Sequence, residues 1–336
     1  MPISAMNIET FHTAVASVGR LASRYCSRSL TLSIFAFVFF ATLHTHAAET
    51  ITISPTVTMA KTSTTLSEEQ LNWLSKKKEL VVGISPENFE PYEILQGKNL
   101  KGIVADYIYL IAESLGLTAR AVIYPDLASA VHALENGEVD VLGRGLTADD
   151  YNPAISLSIP YVMSSPVIVG RGAELEFPKI KVEGKVGFSG GFISMREIVS
   201  AFRYASPVRY YSVLEALHAV EYQQQSWFIG DPITVGYYKG QGELPHIHAY
   251  PIKNLEKIGY SFVFRAKDKN LPALINTIIN NTASVQKDKI INYWASNFYS
   301  ENFTKTVFSE EEKRWLSTHP EINVAINGAL PPYSFY

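Results

Sequence analysis

Cysteine is almost absent from this sequence. The only one among 336 residues is Cys26, which precedes an apolar run near the N-terminus. Nothing after that run can form a disulfide, ligate a metal through sulfur or act as a thiol nucleophile. A lipoprotein anchor, which needs a cysteine directly after such a run, is excluded as well.

Positive charge is also scarce. Lys and Arg number 29 against 32 Asp and Glu, the net charge is −3, and the longest basic run is Lys76–Lys78. Proteins that bind nucleic acids concentrate positive charge on one surface, so nucleic acid is not an expected partner. The hydrophobic share of 47% is too high for a disordered chain and predicts a globular fold.

Signatures of metal and catalytic sites are missing too. None of the eight His is paired with another at the i, i+4 spacing that places two ligands on one helix face. His246 and His248 alternate as in a half-exposed strand, which is the simpler explanation for them. With no Ser-His-Asp order and no phosphate-binding loop, we predict no metal, no cofactor and no catalytic residue.

The longest apolar run is Leu30–Leu43, and Arg20, Arg24 and Arg28 precede it. Its 14 residues fall short of the ~20 that a membrane-spanning helix needs, and small residues follow it, as at a cleavage site. The pattern predicts a signal peptide over residues 1–47, with an uncleaved N-terminal anchor as the alternative. We expect the exported chain to lie in a bacterial periplasm.

The chain repeats part of itself after 242 residues. Residues 66–84 read LSEEQLNWLSKKKELVVGI, and residues 308–326 read FSEEEKRWLSTHPEINVAI. Both copies begin with a Ser and two Glu, which favour a capped helix start, and both place Trp-Leu-Ser before a strand-like run. A period this long equals a whole domain rather than a solenoid repeat.

The repeat indicates where the domains begin and end. Residues 48–65 are predicted as a linker, 66–78 as a connector helix and 79–300 as one complete domain. Residues 301–336 are expected to hold a second connector and the start of a second, truncated domain. A start this short cannot bury a core, so the sequence is expected to be a fragment of a longer tandem protein.

Strand and helix patterns alternate through the complete domain. The first predicted strands are Leu80–Ile84, Ala121–Tyr124 and Val139–Leu142, with helices at Val104–Leu115 and Leu127–Glu135 between them. This βαβαβ order predicts parallel strands buried on both faces.

A second set of elements begins after Tyr161, and the chain then returns to the first set. Its predicted strands are Val167–Gly170, Lys185–Phe188, Val208–Ser212, Trp227–Ile229 and Tyr260–Arg265, and its predicted helices are Ile193–Tyr204, Val213–Gln223, Pro232–Tyr238, Leu271–Ile279 and Asp288–Phe298. We predict two α/β lobes joined by a hinge, lobe 1 at about 79–165 and 257–300 and lobe 2 at about 166–256. A ligand would lie in the cleft between them.

Six segments in this order resemble the periplasmic solute-binding proteins of family 3, the Venus-flytrap amino-acid binders. They are ELVVGISPENFEPYEIL, KGIVADYIYLIAESLGL, ALENGEVDVLGRGLT, SLSIPYVMSSPVIVG, EGKVGFSGG and ALHAVEYQQQSWFIGDPITVGYY. The resemblance spans about residues 79–299 and implies a bilobal, periplasmic-binding-protein-like fold of type II. The SEExxxWLS connector further resembles the tandem flytrap ectodomains of BvgS/EvgS-type hybrid sensor histidine kinases.

This resemblance implies a sensory domain that transmits lobe opening or closure to signalling, and not an enzyme. The alternative is an ABC-transporter substrate-binding protein for amino acids or other small polar solutes. The partners expected on this basis are a small polar solute or amine, the second flytrap domain of the same chain, and another copy in a homodimer.

Ligand-binding positions in lobe 1 follow from the same resemblance. Phe89 and Tyr92 match an aromatic pair that sandwiches the ligand side chain, and Gly145 and Thr147 match a turn that donates to a ligand carboxylate. Core packing is the alternative for the aromatic pair, and a helix cap is the alternative for Thr147.

One ligand residue of the family is missing. Amino-acid binders carry an Arg seven residues before the Ser of their F-S-x-P-Y motif, and its planar guanidinium grips the ligand carboxylate. Here the motif reads Leu157–Tyr161, and Tyr151 holds that position. We expect free amino acids to bind weakly unless Arg144 takes over this role; the alternative is that Arg144 is a solvent-exposed residue.

In lobe 2, Gly190 and Gly191 match a turn that offers backbone donors, and Asp231 matches the carboxylate that pairs with a ligand amine. Asp231-Pro232 is equally typical of a helix start, with Asp as N-cap and Pro in the first helical position. A site with this Asp but without the Arg suits an amine or a neutral solute, or it is a vestigial site that stays shut.

Overall fold

The computed structural model describes the chain over most of its length after the leader. The described residues are 49–85, 89–146, 152–172, 181–253, 255–296, 310–319, 321, 329–330 and 334–335. The predicted signal peptide, Thr147 and Tyr151 lie outside these ranges. Within them, no helix is both long enough and apolar enough to cross a membrane.

Strands and helices alternate along the described chain. The strands are β1 (Glu49–Ile53), β2 (Glu79–Ile84), β3 (Ile94–Gln96), β4 (Asn99–Lys101), β5 (Thr118–Ile123), β6 (Val141–Leu146), β7 (Ile155–Leu157), β8 (Val162–Ser164), β9 (Val167–Arg171), β10 (Glu183–Ser189), β11 (Tyr204–Tyr210), β12 (Trp227–Gly230), β13 (Ile247–Pro251), β14 (Ile258–Arg265), β15 (Ala329–Leu330) and β16 (Ser334–Phe335). The helices are α1 (Glu68–Lys76), α2 (Ile103–Leu115), α3 (Leu127–Asn136), α4 (Met195–Ala201), α5 (Val213–Glu221), α6 (Pro232–Gly240), α7 (Asn270–Asn281), α8 (Ser284–Trp294) and α9 (Glu310–Thr318).

The first lobe is built on a mixed sheet. Its strand order among the described residues is β3-β4-β1-β5-β2-β6-β14-β7, and β8 also pairs with β14. Strands β5, β2 and β6 are parallel, while β14 runs antiparallel to β6. Helix α2 contributes most of the core on this sheet, because ten of its thirteen residues are buried.

The second lobe is built on a five-stranded sheet with the order β11-β10-β12-β9-β13 in the described chain. The chain passes from the first sheet to the second between Ser164 and Val167, and it returns between Pro251 and Ile258. Strands β10, β11 and β12 are parallel, so their carboxyl ends meet at one edge of the sheet.

Side-chain caps fix where several helices begin. Ser67 and Ser194 both form capping boxes, with Gln70 at α1 and with Glu197 at α4, so the predicted cap at Ser67 is confirmed. The second box explains why the predicted helix Ile193–Tyr204 is wrong at both ends. It starts only after Ser194, and Tyr204 already belongs to β11.

The prediction of a linker over residues 48–65 is wrong for the stretch that contains β1. This strand pairs with β4 and β5, and Ile51 and Val57 are buried. The backbone N–H groups of Thr56 and Val57 donate to the Asp106 carboxylate of α2 at 2.7 and 3.0 Å. A five-residue strand has little periodicity of its own, so its place depends on contacts made far along the chain.

Glu221 holds the start of β13 against α5. Its side chain is 4% exposed, and its carboxylate accepts from the His246 backbone N–H at 3.1 Å and also contacts His246 Nδ1. Burial acts to raise the pKa of Glu221, but the hydrogen bonds from His246 and the charges of His246 and Arg171 together lower the pKa below its usual 4.5.

The variant Glu221→Gln is therefore expected to lose a pH-dependent part of the stability. Because the folded pKa lies below the unfolded one, the stabilising contribution is present above about pH 4.5 and is lost as the pH falls through the folded pKa. Thermal unfolding should show a deficit of ~1–3 kcal/mol near neutral pH that shrinks in acid. A stability deficit that does not change with pH, or an equal deficit in the exposed control Glu215→Gln, would show that the ionised Glu221 carboxylate is not its cause.

Candidate ligand cleft

A cavity of about 490 Å³ lies between the two lobes. Its volume falls in the range of roughly 300–1,000 Å³ typical of small-molecule sites. On the side of lobe 2 it is lined by Ser189, Tyr210 and Gly230, the last residues of the parallel strands β10, β11 and β12. Ligand sites of open α/β sheets lie at such carboxyl ends.

Asp231 lines this cavity and begins helix α6. Its Oδ2 accepts from the Thr234 N–H at 3.1 Å and from the Thr234 hydroxyl at 2.9 Å, and Pro232 occupies the first helical turn. The expected N-cap role of Asp231 is thus confirmed. A lone N-cap is usually exposed, whereas Asp231 is only 4% exposed.

The same carboxylate also connects the two lobes. The Tyr92 hydroxyl of lobe 1 donates to Asp231 Oδ2 at 3.0 Å, a bond called here the interlobe contact. The Ser164 hydroxyl, at the end of β8, donates to Oδ1. Burial raises the pKa of Asp231, and the hydrogen bonds from Ser164, Thr234 and Tyr92 offset only part of that rise.

The predicted aromatic pair is divided between core and cavity. Tyr92 is 1% exposed and stacks on Tyr260 with ring centroids 4.0 Å apart, so it packs as a core residue. Phe89 lines the cavity, and its ring centroid lies 5.2 Å from that of Tyr92.

A second hydrogen bond crosses between the lobes nearby. The Tyr238 hydroxyl of α6 donates to Glu90 Oε2 at 2.8 Å. Burial and the Glu90 carboxylate both raise the pKa of Tyr238, so this phenol remains a neutral donor at physiological pH. Both residues line the cavity.

Arg144 and Gly145 lie next to each other in β6 but in different surroundings. The interpretation of Arg144 as a solvent-exposed residue is wrong, because it is half-buried and lines the cavity. Its guanidinium donates to Ser85 Oγ at 3.1 Å, and its Cζ lies 4.4 Å from the ring centroid of Phe89. Gly145 pairs with Ser261 of β14. A Cβ on Gly145 would lie 2.7 Å from the Val263 side chain, so this glycine permits close strand packing.

The predicted glycine turn of lobe 2 lines the cavity. Gly191 has a φ of +91°, which disfavours any residue with a side chain. A Cβ on Gly190 would lie 2.8 Å from the guanidinium of Arg209, so Gly190 leaves space for that side chain. Arg209 is exposed and also lines the cavity.

Sequence reasoning missed Arg209, Tyr238 and Tyr260 as residues of the cleft. Arg209 stands one residue before the end of a parallel strand, a position from which a ligand contact could have been inferred. Tyr238 and Tyr260 lie inside a helix and a strand, where only the packing of the lobes brings them to the cavity. No group of three His, Cys, Asp or Glu able to hold a metal occurs within the described ranges.

Fold and cleft agree with the protein family that the sequence matches. Residues 80–297 match the bacterial extracellular solute-binding proteins, family 3, and this match covers more than half of the chain. The chain therefore belongs to that family. Its architecture is the bilobal α/β Venus flytrap, and the domain is a solute-binding one rather than a catalytic one.

Sensor proteins are among the relatives of this chain. The virulence sensor protein BvgS of Bordetella pertussis is 25% identical over 292 residues, which cover 86% of this chain and 24% of that protein. The sensor protein EvgS of Escherichia coli O157:H7 is 23% identical over 273 residues, which cover 80% of this chain and 23% of that protein. The chain thus spans about a quarter of the length of these curated relatives.

A solved structure extends the similarity to three dimensions. The crystal structure of the B. pertussis BvgS periplasmic domain matches with a TM-score of 0.73 at 25% identity, covering 86% of this chain and 56% of that one. The predicted resemblance to family 3 and to BvgS/EvgS-type sensors is confirmed.

Proposed function

We propose that this chain is a periplasmic sensory domain of a sensor kinase, in which opening and closure of the lobes biases signalling. The observation that carries the proposal is the interlobe contact between Tyr92 and Asp231. The similarity to BvgS and EvgS supports the sensor role, and the predicted leader supports export to the periplasm.

The interlobe contact gives the closed arrangement a stability of its own. In the closed arrangement, the Tyr92 hydroxyl and the Asp231 carboxylate are buried together; when the lobes separate, water replaces each partner. A ligand, or a neighbouring domain, that binds one arrangement better than the other would then shift the populations. The proposed ligand-contacting residues are Phe89, Gly190 and Gly191, with Asp231 controlling closure.

The domain boundaries belong to the same proposal. The predicted connector over 66–78 contains α1, whose Trp73 and Leu74 pack against the core of lobe 1, a suitable arrangement for coupling lobe movement to a preceding segment. The second connector, which contains α9, would join this domain to the next flytrap domain. A downstream reading frame without a membrane-spanning helix and a kinase region would refute the sensor role.

The variant Tyr92→Phe tests the interlobe contact in the parent sensor. Loss of one buried hydrogen bond to a carboxylate, ~1.5–3 kcal/mol, should shift the balance toward open lobes by about 10- to 160-fold. We expect a changed reporter output in cells and a larger radius of gyration of the purified domain in solution scattering. Tyr204→Phe, at a tyrosine 65% exposed, is the matched control. An unchanged output together with unchanged scattering would contradict the proposal.

A further inference from the structure

A second pocket lies on lobe 2, away from the cleft. It is lined by Arg171, Gly172, Lys185, Val220 and residues 223–227, and it is called here the distal pocket. Its volume of about 700 Å³ is that of a small-molecule site. The strands that border it are the end of β9 and the first halves of β10 and β12. The distal pocket is therefore at the opposite edge of the sheet from the strand ends that form the cleft.

Two cationic side chains project into the distal pocket region from one face of the sheet. Gly187, Phe228 and Val169 lie opposite one another on the neighbouring strands β10, β12 and β9. Lys185 and Arg171 each lie two residues from this row, toward the same edge of the sheet. Side chains two residues apart in a strand share a face, so the two cations lie on one face, with their Cα atoms about 10 Å apart across two strand spacings.

The charges of both side chains are exposed. Within the described ranges, neither Lys185 nor Arg171 forms an ion pair or a side-chain hydrogen bond. The charge of Arg171 helps to lower the pKa of Glu221, but that carboxylate is buried and engaged with His246. Two cations close together favour a dianion over a monoanion. A phosphate monoester carries a charge near −2 at neutral pH, whereas a carboxylate carries only −1.

A buried amide beside these cations has no partner. Gln225 is 7% exposed, and neither its Oε1 nor its Nε2 has a hydrogen-bond partner in the described part of the chain. A Cβ on Gly187 would lie 2.1 Å from Gln225 Nε2, so the amide lies against bare backbone on the face that carries the two cations. Folded proteins seldom leave a buried amide unpaired, and an apolar side chain would fill this space without that loss. A ligand in the pocket that Gln225 lines would supply the missing partner.

We propose that the distal pocket binds the phosphate monoester of a small hydroxylated molecule, such as a sugar phosphate. Arg171 and Lys185 bind the phosphate group. The Gln225 side chain turns about its torsions from the sheet into the pocket, where its amide bonds a ligand hydroxyl. Gln223 and Gln224 are exposed and line the same pocket, so their amides offer further donors and acceptors to hydroxyl groups.

Four probes that differ by one property at a time test the ligand class. The chain, exported and purified from the periplasm, would be titrated by calorimetry with glucose 6-phosphate, inorganic phosphate, glucuronate and glucose. We expect the tightest binding for glucose 6-phosphate, weaker binding for inorganic phosphate and for glucuronate, and none for glucose. Added sodium chloride should weaken the binding of glucose 6-phosphate, because salt screens exposed charges.

Two results with these probes would overturn the ligand class. Inorganic phosphate that binds as tightly as glucose 6-phosphate would assign the pocket to the free anion and not to an ester. Absence of binding, or equal binding of glucose or glucuronate, would overturn the role of the two cations as a phosphate site.

Variants assign the binding to the cations. Arg171→Gln and Lys185→Gln should each weaken the binding of glucose 6-phosphate by about fivefold, and the double variant by about tenfold or more. Arg203→Gln, at an exposed arginine of the same lobe outside the pocket, is the matched control and should have no effect. An equal loss in Arg203→Gln would show that general surface charge, and not the distal pocket, attracts the anion.

Gln225→Met tests the buried amide, since methionine has a similar size and no hydrogen-bonding amide. We expect a higher melting temperature of the unliganded chain, because no amide is then left unpaired, together with about fivefold weaker binding of glucose 6-phosphate and unchanged binding of inorganic phosphate. A purely structural Gln225 would change the melting temperature alone. A lower melting temperature, or an unchanged affinity for glucose 6-phosphate, would overturn the role of this amide.

The distal pocket goes beyond the proposed function and can fail separately from it. Neither Tyr92 nor Asp231 lines this pocket, so Tyr92→Phe should leave the affinity for glucose 6-phosphate unchanged. A missing signalling response to Tyr92→Phe would refute the interlobe mechanism and leave the distal pocket standing. Absence of phosphate binding would refute the distal pocket and leave the expected response to Tyr92→Phe as it is.

Discussion

Replacing Asp231 with alanine is expected to lower the free energy of unfolding by ~2–5 kcal/mol. The substitution removes the N-cap of α6 and leaves the hydroxyls of Tyr92, Ser164 and Thr234 without their acceptor. Loss of a cap by itself costs only ~0.5–2 kcal/mol. The larger figure follows because the side chains that donate to Asp231 are buried.

Chemical denaturation of three variants, Asp231→Ala, Asp231→Asn and Asp126→Ala, separates the contribution of the cap from that of the other hydrogen bonds. Asp126 is the N-cap of α3 and accepts from the Ser129 N–H at 2.7 Å, but it makes no contact between lobes. Asp126→Ala should therefore lose only the cap contribution. Asp231→Asn keeps one oxygen for Thr234 and should fall between the two. If Asp231→Ala loses no more stability than Asp126→Ala, the contact between the lobes contributes nothing measurable.

Asp106→Ala is expected to be at least as harmful, at ~3–5 kcal/mol. The Asp106 carboxylate is 1% exposed and accepts from the backbone N–H groups of Thr56 and Val57 and from the Trp294 indole N–H at 2.7 Å. It thereby joins the segment after β1, helix α2 and helix α8. Alanine would leave the buried donors of Val57 and Trp294 unpaired, together with the part-buried N–H of Thr56.

A double-mutant cycle with Trp294→Phe isolates one of these bonds. Trp294→Phe removes the indole donor and replaces the indole with a smaller ring at a buried position, so we expect a loss of ~1–3 kcal/mol from the hydrogen bond and the cavity together. The two substitutions should be non-additive, because both remove the same hydrogen bond. Additive losses, or a loss below ~1 kcal/mol for Asp106→Ala, would mean that this carboxylate does not join the three segments.

Local sequence patterns were sufficient for the elements that carry their own signal. The apolar run at Leu80–Ile84 and the helical spacing at Val104–Leu115 predicted β2 and α2 to within one residue, because burial on both faces or on one stripe imposes a fixed period. The Asp231-Pro232 pair predicted the start of α6 because helix capping is decided within four neighbouring residues.

Elements without such a signal were missed. Strands β3, β4, β7 and β8 have three residues each, too few for alternation to be recognised, and β1 was taken for a linker. These strands are stable only because neighbouring strands offer their backbone groups, so their place depends on the sheet.

The sequence by itself determined the two-lobed α/β architecture, the capped helices and the family of this protein, because periodicity, capping residues and ordered motifs are written in neighbouring residues. Only the tertiary structure decided what the cleft residues do. Tyr92 and Asp231 are 139 residues apart in the chain, and Arg144 and Arg209 come from different lobes. Whether a carboxylate meets a ligand or a tyrosine from the opposite lobe depends on distances across the cleft, and local pattern does not set those distances.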